Sequence, residues 1–388
     1  MTKQEFLNAL GKLTGAMNEG ERSKLLDYYA EMIDDRVEEG VQEEAAVAAM
    51  GDPADIAREF APAASPEPAA AAGSESVDAL RSLRLKVANA DVKIVSEPLD
   101  NGAAAQLRFT DPTRFEWRMD GDTLVVQERG LEEKHRGLEF GLRWLKQMIT
   151  EPDLRVTVAL AEGLADALDF EGGGSDLRVE GVAFAKAQLV TASGDITLKN
   201  IACEGGIGID IRTHSGDVKL TDVRSANMIV HAASGDISAQ GLKLSGRLRL
   251  EASSGDIDLR DGEGDVLSVT TASGDIEARR GCFGATNVHA ASGDVRLDGL
   301  ETDPQLTVQT ASGDIDLTRC IARETRINTA SGDVNIRLEP LPCGYDILAN
   351  TVSGDVHFDD GCTAASDGEK PKIAVKTVSG DIDARPAR

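Results

Sequence analysis

The sequence predicts a mainly β chain: a parallel β-solenoid with rungs of about 20 residues, preceded by a small all-α domain. Three observations carry that expectation. Ser-Gly-Asp occurs ten times, ending on Asp195, Asp217, Asp236, Asp256, Asp275, Asp294, Asp314, Asp333, Asp355 and Asp381. Successive gaps are 22, 19, 20, 19, 19, 20, 19, 22 and 26 residues, and self-similarity at such a period marks stacked supersecondary units. Apolar and polar residues alternate on both sides of each tripeptide, whereas the first 60 residues follow helical spacing.

Residues 1–60 read as four helices. Thr2 and Glu5 form a capping box ahead of Phe6, Leu7, Leu10 and Leu13, which share a face. Asn18 with Glu21 opens a second helix carrying Leu25, Leu26, Tyr29, Met32, Ile33 and Val37, closed by Gly40. A third runs from about 42 to 50. Asp52 caps a fourth, with Pro53 at its first position and Ile56 and Phe60 on its apolar side. This domain holds fourteen acidic residues against six Lys or Arg. Residues 61–77 are rich in Ala and Pro and read as a linker.

Residues 78–388 form the solenoid, with 78–175 an irregular cap and first rungs and 176–388 the Ser-Gly-Asp rungs. Within the cap, Leu83 to Val95 alternates, and Phe115 to Val126 reads as a hairpin turning at Asp120-Gly121. Gly174-Ser175-Asp176 is a degenerate repeat. In each full repeat an aliphatic residue stands four before the Ser (Leu189, Ile211 and Val230 in the first three) and Thr or Ala stands two before it. Apolar residues follow the Asp at one and three on, as in Ile196/Leu198 and Ile257/Leu259. Each rung therefore carries two half-buried strands joined at Ser-Gly-Asp. The Gly suits a corner with positive φ, while Asp and Ser bond amides of the same turn. A second bend is expected at Gly205, Gly241, Gly262, Gly281, Gly299 and Gly361. Coils stack by parallel pairing about 4.8 Å apart, with right-handed connections expected.

The chain's last repeat, through Ser379-Gly-Asp-Ile-Asp, reads as an uncovered final coil with Val375 and Ile382 at its ladder ends. Arg385, Pro386 and Arg388 would blunt that edge. A monomer follows, with end-to-end self-association as the alternative.

Net charge is −26, which disfavours nucleic acid and anionic lipid. No apolar run is long enough to span a bilayer and no signal peptide opens the chain, so cytoplasmic localisation is expected. Cys203, Cys282, Cys320, Cys343 and Cys362 contain no Cys-x-x-Cys and read as small, reduced core residues, a redox pair across rungs being the alternative. Leu138 to Ile149 is a basic amphipathic stretch suited to covering the solenoid's end, or alternatively to lying on a membrane.

The five histidines lack metal-ligand spacing, aromatic residues are sparse, and no catalytic or phosphate-loop motif occurs. No enzyme is expected. The Asp column is the one constellation of note. Either each carboxylate caps amides at its own corner, with no metal or other cofactor, or Ca²⁺ bridges neighbouring rungs through oxygen ligands.

From about Asp78 onward, the Ser-Gly-Asp-Ile/Val repeats, Asp120 to Leu124 and Leu154-Arg-Val-Thr-Val-Ala-Leu resemble a bacterial family of β-strand-repeat proteins labelled putative adhesins. The first sixty residues are similar to the HAAS helical signalling domain through Tyr28-Tyr29 with Glu31, Glu38-Glu39-Gly40, and Gly51-Asp52-Pro53. The resemblance implies a part in envelope-linked signalling, including envelope stress. The resulting expectation is a non-catalytic scaffold that contacts a protein partner through its helical domain, with Tyr28, Tyr29 and Asp52 as candidate contact residues.

Overall fold

The computed structural model describes residues 1–14, 22, 25, 26, 29, 30, 33, 42–48, 50–59, 74–99, 102–129, 154–161, 165–359, 362 and 370–387. It divides into two compact units, one of helices and one of strands.

In the helical unit, Thr2 and Glu5 cap the helix Lys3–Leu13 reciprocally. The Glu5 amide donates to Thr2 Oγ1 at 3.2 Å, and the Thr2 amide donates to the Glu5 carboxylate at 2.9 Å. Phe6, Leu10, Leu25, Tyr29, Ile33, Val47, Met50 and Ile56 make one core. Leu13, expected on the same face, is 53% exposed. The helix stops there, and buried Thr14 takes the inner place, its hydroxyl donating to the Leu10 carbonyl at 2.7 Å. Helices Glu43–Ala48 and Pro53–Glu59 follow. Of the second expected helix, the described residues 22, 25, 26, 29, 30 and 33 are helical, while Asn18, Glu21 and Gly40 lie outside the described residues. The amphipathic stretch 138–149 also lies outside them.

In the strand unit, two walls of parallel strands run the length of the repeats. One wall, taken from the strands before each Ser-Gly-Asp, includes Arg247–Ala252 paired in register with Val266 to Thr271. The other, taken from the strands after it, includes Ile276 to Arg279 paired with Val295 to Asp298. Residues at the aliphatic positions of both walls, such as Leu189, Ile211, Val230, Leu250, Ile196 and Leu198, are fully buried, each worth about 1.5–3 kcal/mol. Because the repeat length is nearly constant, each such residue stacks on its counterpart one rung away. That turns an alternating sequence into continuous aliphatic ladders.

The first rung carries no Ser-Gly-Asp. Strands Ser82–Val87 and Asp91–Ser96 pair directly with Ala165–Gly172 and Leu177–Glu180. The intervening chain supplies the cap: Ala105–Phe109 runs antiparallel to Arg155–Leu160, and Phe115–Asp120 forms a hairpin with Thr123–Glu128 around Gly121. Ser74–Val77, assigned above to the linker, is a strand paired antiparallel with Ala105 to Arg108.

Three expectations are corrected. Of the ten repeat glycines, only Gly313, Gly332, Gly354 and Gly380 have positive φ. What all ten share is stacking, because a Cβ at any of them would stand 1.8–2.2 Å from a carbonyl oxygen of the neighbouring rung. The second bend is a left-handed residue five positions after the Asp: Gly181, Asn200, Asp222, Gly241, Asp261, Arg280, Gly299 and Arg319. Among the glycines assigned to it from sequence, Gly205, Gly262 and Gly281 lack positive φ and Gly361 lies outside the described residues.

The third correction concerns rung order. Strand Glu324–Ser331 pairs with Lys372–Ser379, which pairs in turn with Asp346–Ser353. Val334–Leu338 likewise pairs with Ile382–Pro386, and that strand with Val356–Phe358. The last repeat in sequence is therefore inserted between the two before it. Val375 and Ile382 are buried, and the terminal rung is the one ending on Asp355, where Leu348 and Val352 are 60% and 83% exposed.

Candidate functional site

The Asp column is continuous, and every repeat carboxylate except that of Asp355 in the terminal rung accepts an amide through Oδ1. The amide of each repeat Asp donates to Oδ1 of the Asp one rung earlier. Asp217 donates to Asp195 at 2.8 Å, Asp256 to Asp236 at 2.8 Å and Asp294 to Asp275 at 2.9 Å. Asp236, Asp275, Asp314 and Asp333 continue it at 2.8–3.0 Å. The ladder follows the inserted rung: Asp381 donates to Asp333 and Asp355 donates to Asp381, both at 2.8 Å. In the opposite sense, the residue after each Asp donates to the next rung's Asp carbonyl, as from Ile257 to Asp275 at 2.9 Å. Two bonds thus close each pair of corners.

The expectation that each carboxylate caps its own corner is therefore corrected. Parallel stacking brings the neighbouring amide within reach, and the corner's own Gly amide is served in two other ways. Gly194, Gly216 and Gly274 donate to the Oγ1 of Thr191, Thr213 and Thr271 at 2.9–3.2 Å, whereas Gly293, Gly313, Gly332 and Gly380 donate to a Ser carbonyl of the adjoining rung. Sequence reading missed two ladder members. Asp195 donates to Asp176 at 2.9 Å, and Asp176 to Asp91 at 3.4 Å. Asp176 was visible in the degenerate repeat, but Asp91 lies in Asn89-Ala90-Asp91-Val92, with no tripeptide to mark it. At that end the buried Glu128 carboxylate accepts from Ala88 and Asn89 at 2.7 and 3.1 Å.

Aligned carboxylates on adjacent rungs repel by about 1 kcal/mol per neighbour in water. A charge-assisted bond worth about 1.5–3 kcal/mol offsets that. Arg296 adds local compensation, 2.8 Å from Asp294 and 3.7 Å from Asp275. No group of three or more His, Cys, Asp or Glu is arranged to hold a metal among the described residues.

The three candidates in the helical unit separate. Tyr29 is core, its ring centroid 5.7 Å from that of Phe6. Asp52 is a cap, Oδ1 accepting the Ala54 amide at 2.8 Å. Tyr28 lies outside the described residues. The five cysteines form no disulfide. Cys203 and Cys362 are buried, whereas Cys282 is exposed. Burial raises the Cys320 thiol to about 11, keeping it protonated. Among the described residues, no helix is long and apolar enough to cross a membrane.

The family profile Toastrack DUF4097 matches residues 80–281, 207–320 and 245–385, and the HAAS profile matches residues 5–59. No curated protein matches the chain. Similar solved structures include a "putative adhesin" from Bacteroides fragilis, at 9% identity and TM-score 0.27, covering 82% of this chain and 100% of that one. A "putative cell adhesion protein" from Clostridium sporogenes is 9% identical with TM-score 0.18, covering 81% and 99%. A "putative lipid binding protein" from Parabacteroides distasonis is 12% identical with TM-score 0.31, covering 81% and 97%.

Proposed function

The chain belongs to the Toastrack DUF4097 family and carries an N-terminal HAAS domain, and from that premise we propose that it is a non-catalytic signalling scaffold. The helical domain makes the contact with a protein partner, and the solenoid is the rigid body it is joined to. The observation that carries this reading is the Asp ladder. The most regular chemical feature of the chain is used in joining rung to rung, each carboxylate short of the terminal rung accepting an amide of the next corner. Five cysteines without a disulfide support a reducing, cytoplasmic setting. The link to envelope signalling rests on the family pair.

Affinity capture from a bacterial lysate, comparing the full chain with one beginning at Ser74, tests the assignment. Partners retained by the full chain and lost without the helices uphold it; identical sets would move the contact to the solenoid. The exposed terminal rung, with Leu348 and Val352 outward, favours a second reading, end-to-end self-association. Concentration-dependent sedimentation of the full chain that is abolished by Val352→Lys would establish that reading.

A further inference from the structure

On the wall that follows Ser-Gly-Asp, the residues two and four after the Asp lie on its outer side. Three rungs place an acid and then an arginine there, paired along the strand: Asp258 with Arg260, Glu277 with Arg279, and Asp383 with Arg385; a fourth holds the reverse order, Arg178 with Glu180. The rung ending on Asp333 has Asn335 and Arg337 at these positions. An amide replaces the carboxylate, and Arg337 has no ion pair among the described residues. Insertion of the last repeat then places Arg385 directly in register with Arg337, a like-charge pair across adjacent strands that is unfavourable by itself.

Arg319, at the left-handed corner of the preceding rung, completes the group and pairs with Asp298 at 2.7 Å. All three arginines, with Thr318, His357 and Asp359, line a cleft of about 670 Å³. The described acids nearby are engaged: Asp298 by Arg319, Asp383 by Arg385, Asp359 by His357 at 3.3 Å, and Asp316 by Arg296 at 3.8 Å. Among the described residues Arg337 is thus the cation of this cleft left uncompensated, with its donor fork unused. Arg319 spends only Nη2 on a side-chain hydrogen bond, and Arg385 spends Nε and Nη2.

We propose that this cleft binds a phosphate-bearing small molecule, with the phosphoryl oxygens held by Arg337 and its neighbours Arg319 and Arg385. Guanidinium forks match phosphate oxygens in geometry and charge. Guanidiniums on three consecutive rungs suit three terminal oxygens, whereas a carboxylate satisfies one fork. The volume lies within the range of about 300–1,000 Å³ typical of small-molecule sites, so space remains for the ligand's body. A net charge of −26 opposes adsorption to an anionic surface, which favours a soluble ester over a lipid headgroup.

Isothermal titration of the full chain with inorganic phosphate, at fixed ionic strength, tests the site. The unmodified protein should bind saturably. Arg337→Gln and Asn335→Asp should each weaken binding at least tenfold. Asn335→Asp is the sharper variant: it keeps every arginine and installs the acid–arginine pair that the adjoining inserted rung holds in Asp383 and Arg385. Because the new carboxylate stands in register between Asp316 and Asp383, circular dichroism and melting are measured beside the titration, and a folded variant with weakened binding is the expected result. Equal affinity in Asn335→Asp and the unmodified protein, or no saturable binding in the latter, overturns the proposal. Co-sedimentation with phosphatidic acid vesicles separates the sources. Vesicle binding that Asn335→Asp removes would assign the phosphate to a lipid; its absence beside saturable phosphate binding leaves the soluble ester.

Discussion

Replacing Gly274 with alanine tests what fixes the repeat. A Cβ there would stand 2.0 Å from the Gly255 carbonyl oxygen, 2.5 Å from its carbon and 3.0 Å from the Asp256 nitrogen. A carbon–oxygen contact is normally no closer than about 3.3 Å, so the two corners would have to separate by roughly 1.3 Å from a spacing of about 4.8 Å. Such a shift lengthens the Asp275 amide bond to Asp256 Oδ1, now 2.8 Å, and the Ile257 amide bond to the Asp275 carbonyl, now 2.9 Å. Overpacking costs about 1–3 kcal/mol. Losing one charge-assisted bond and one backbone bond adds about 2–4 kcal/mol. The expected loss is therefore about 3–7 kcal/mol, a large share of the roughly 5–15 kcal/mol that holds a typical domain folded.

Gly206→Ala is the matched control, since a Cβ at Gly206 has nothing within 4 Å; it should be neutral or stabilising by about 0.4–1 kcal/mol. Urea unfolding followed by circular dichroism gives the overall change. Hydrogen exchange at the Asp275 and Ile257 amides localises it, because stacked repeats open in parts. If Gly274→Ala and Gly206→Ala agree within about 0.5 kcal/mol, close backbone approach is not what demands the glycine.

Asp236→Asn should change stability by less than about 1 kcal/mol, since it weakens a charge-assisted bond while relieving repulsion from two neighbours; added salt should stabilise the unmodified protein more than the variant, and melting should be the same in EDTA and in calcium. Ile382→Ala, in the inserted rung, should cost about 2–4 kcal/mol in urea unfolding, against less than about 1 kcal/mol for exposed Val356→Ala. The side-chain bond from Arg280 holds the Asp261 carboxyl below its usual value of 3.8. Its stabilising contribution is thus full above that value and lost as pH falls through the lowered one; the stability gap between the unmodified protein and Arg280→Gln should be present at neutral pH and vanish in strong acid.

Period and burial were legible because a fixed tripeptide flanked by two-residue alternation leaves little choice: Ile196 and Leu198 must face one way, and a constant repeat must stack them. The direction of each Asp carboxylate was not legible. Its own corner and the next both offer amides, and only the spacing of rungs decides between them. The second bend was misplaced because glycine was used as its marker. Asn200, Asp222, Asp261, Arg280 and Arg319 adopt the left-handed conformation instead, and two of them are arginines that propensity would not select. Rung order was hidden for a different reason, since sequence order equals stacking order only where connections are short. The gap of 26 residues before Asp381, the longest of the nine, was the one signal. The arginine cleft had a signal too, in Asn335 standing where Asp258, Glu277 and Asp383 stand in other rungs. Reading it required knowing that Arg385 comes into register with Arg337.

The inserted rung also changes what Pro386 does. Had the last repeat been outermost, a proline there would remove an amide donor from an open edge. In its actual place it lies in register with Leu338. Ile382 donates to the Asp355 carbonyl and the Ala384 carbonyl accepts from Asp359, whereas Ala387 donates back to Leu338. Backbone groups alternate sides along a strand, so Pro386, two residues after Ala384, would aim its donor towards the terminal rung. That neighbour's strand ends at Phe358, and the missing N–H costs no ladder bond. Proline is thus accommodated inside the stack, and edge protection is not its task. The rung that is outermost carries Leu348, Val352 and Val356 exposed instead. The residues at the end of the sequence and those at the end of the stack are different sets, and only the second faces whatever meets the terminal coil.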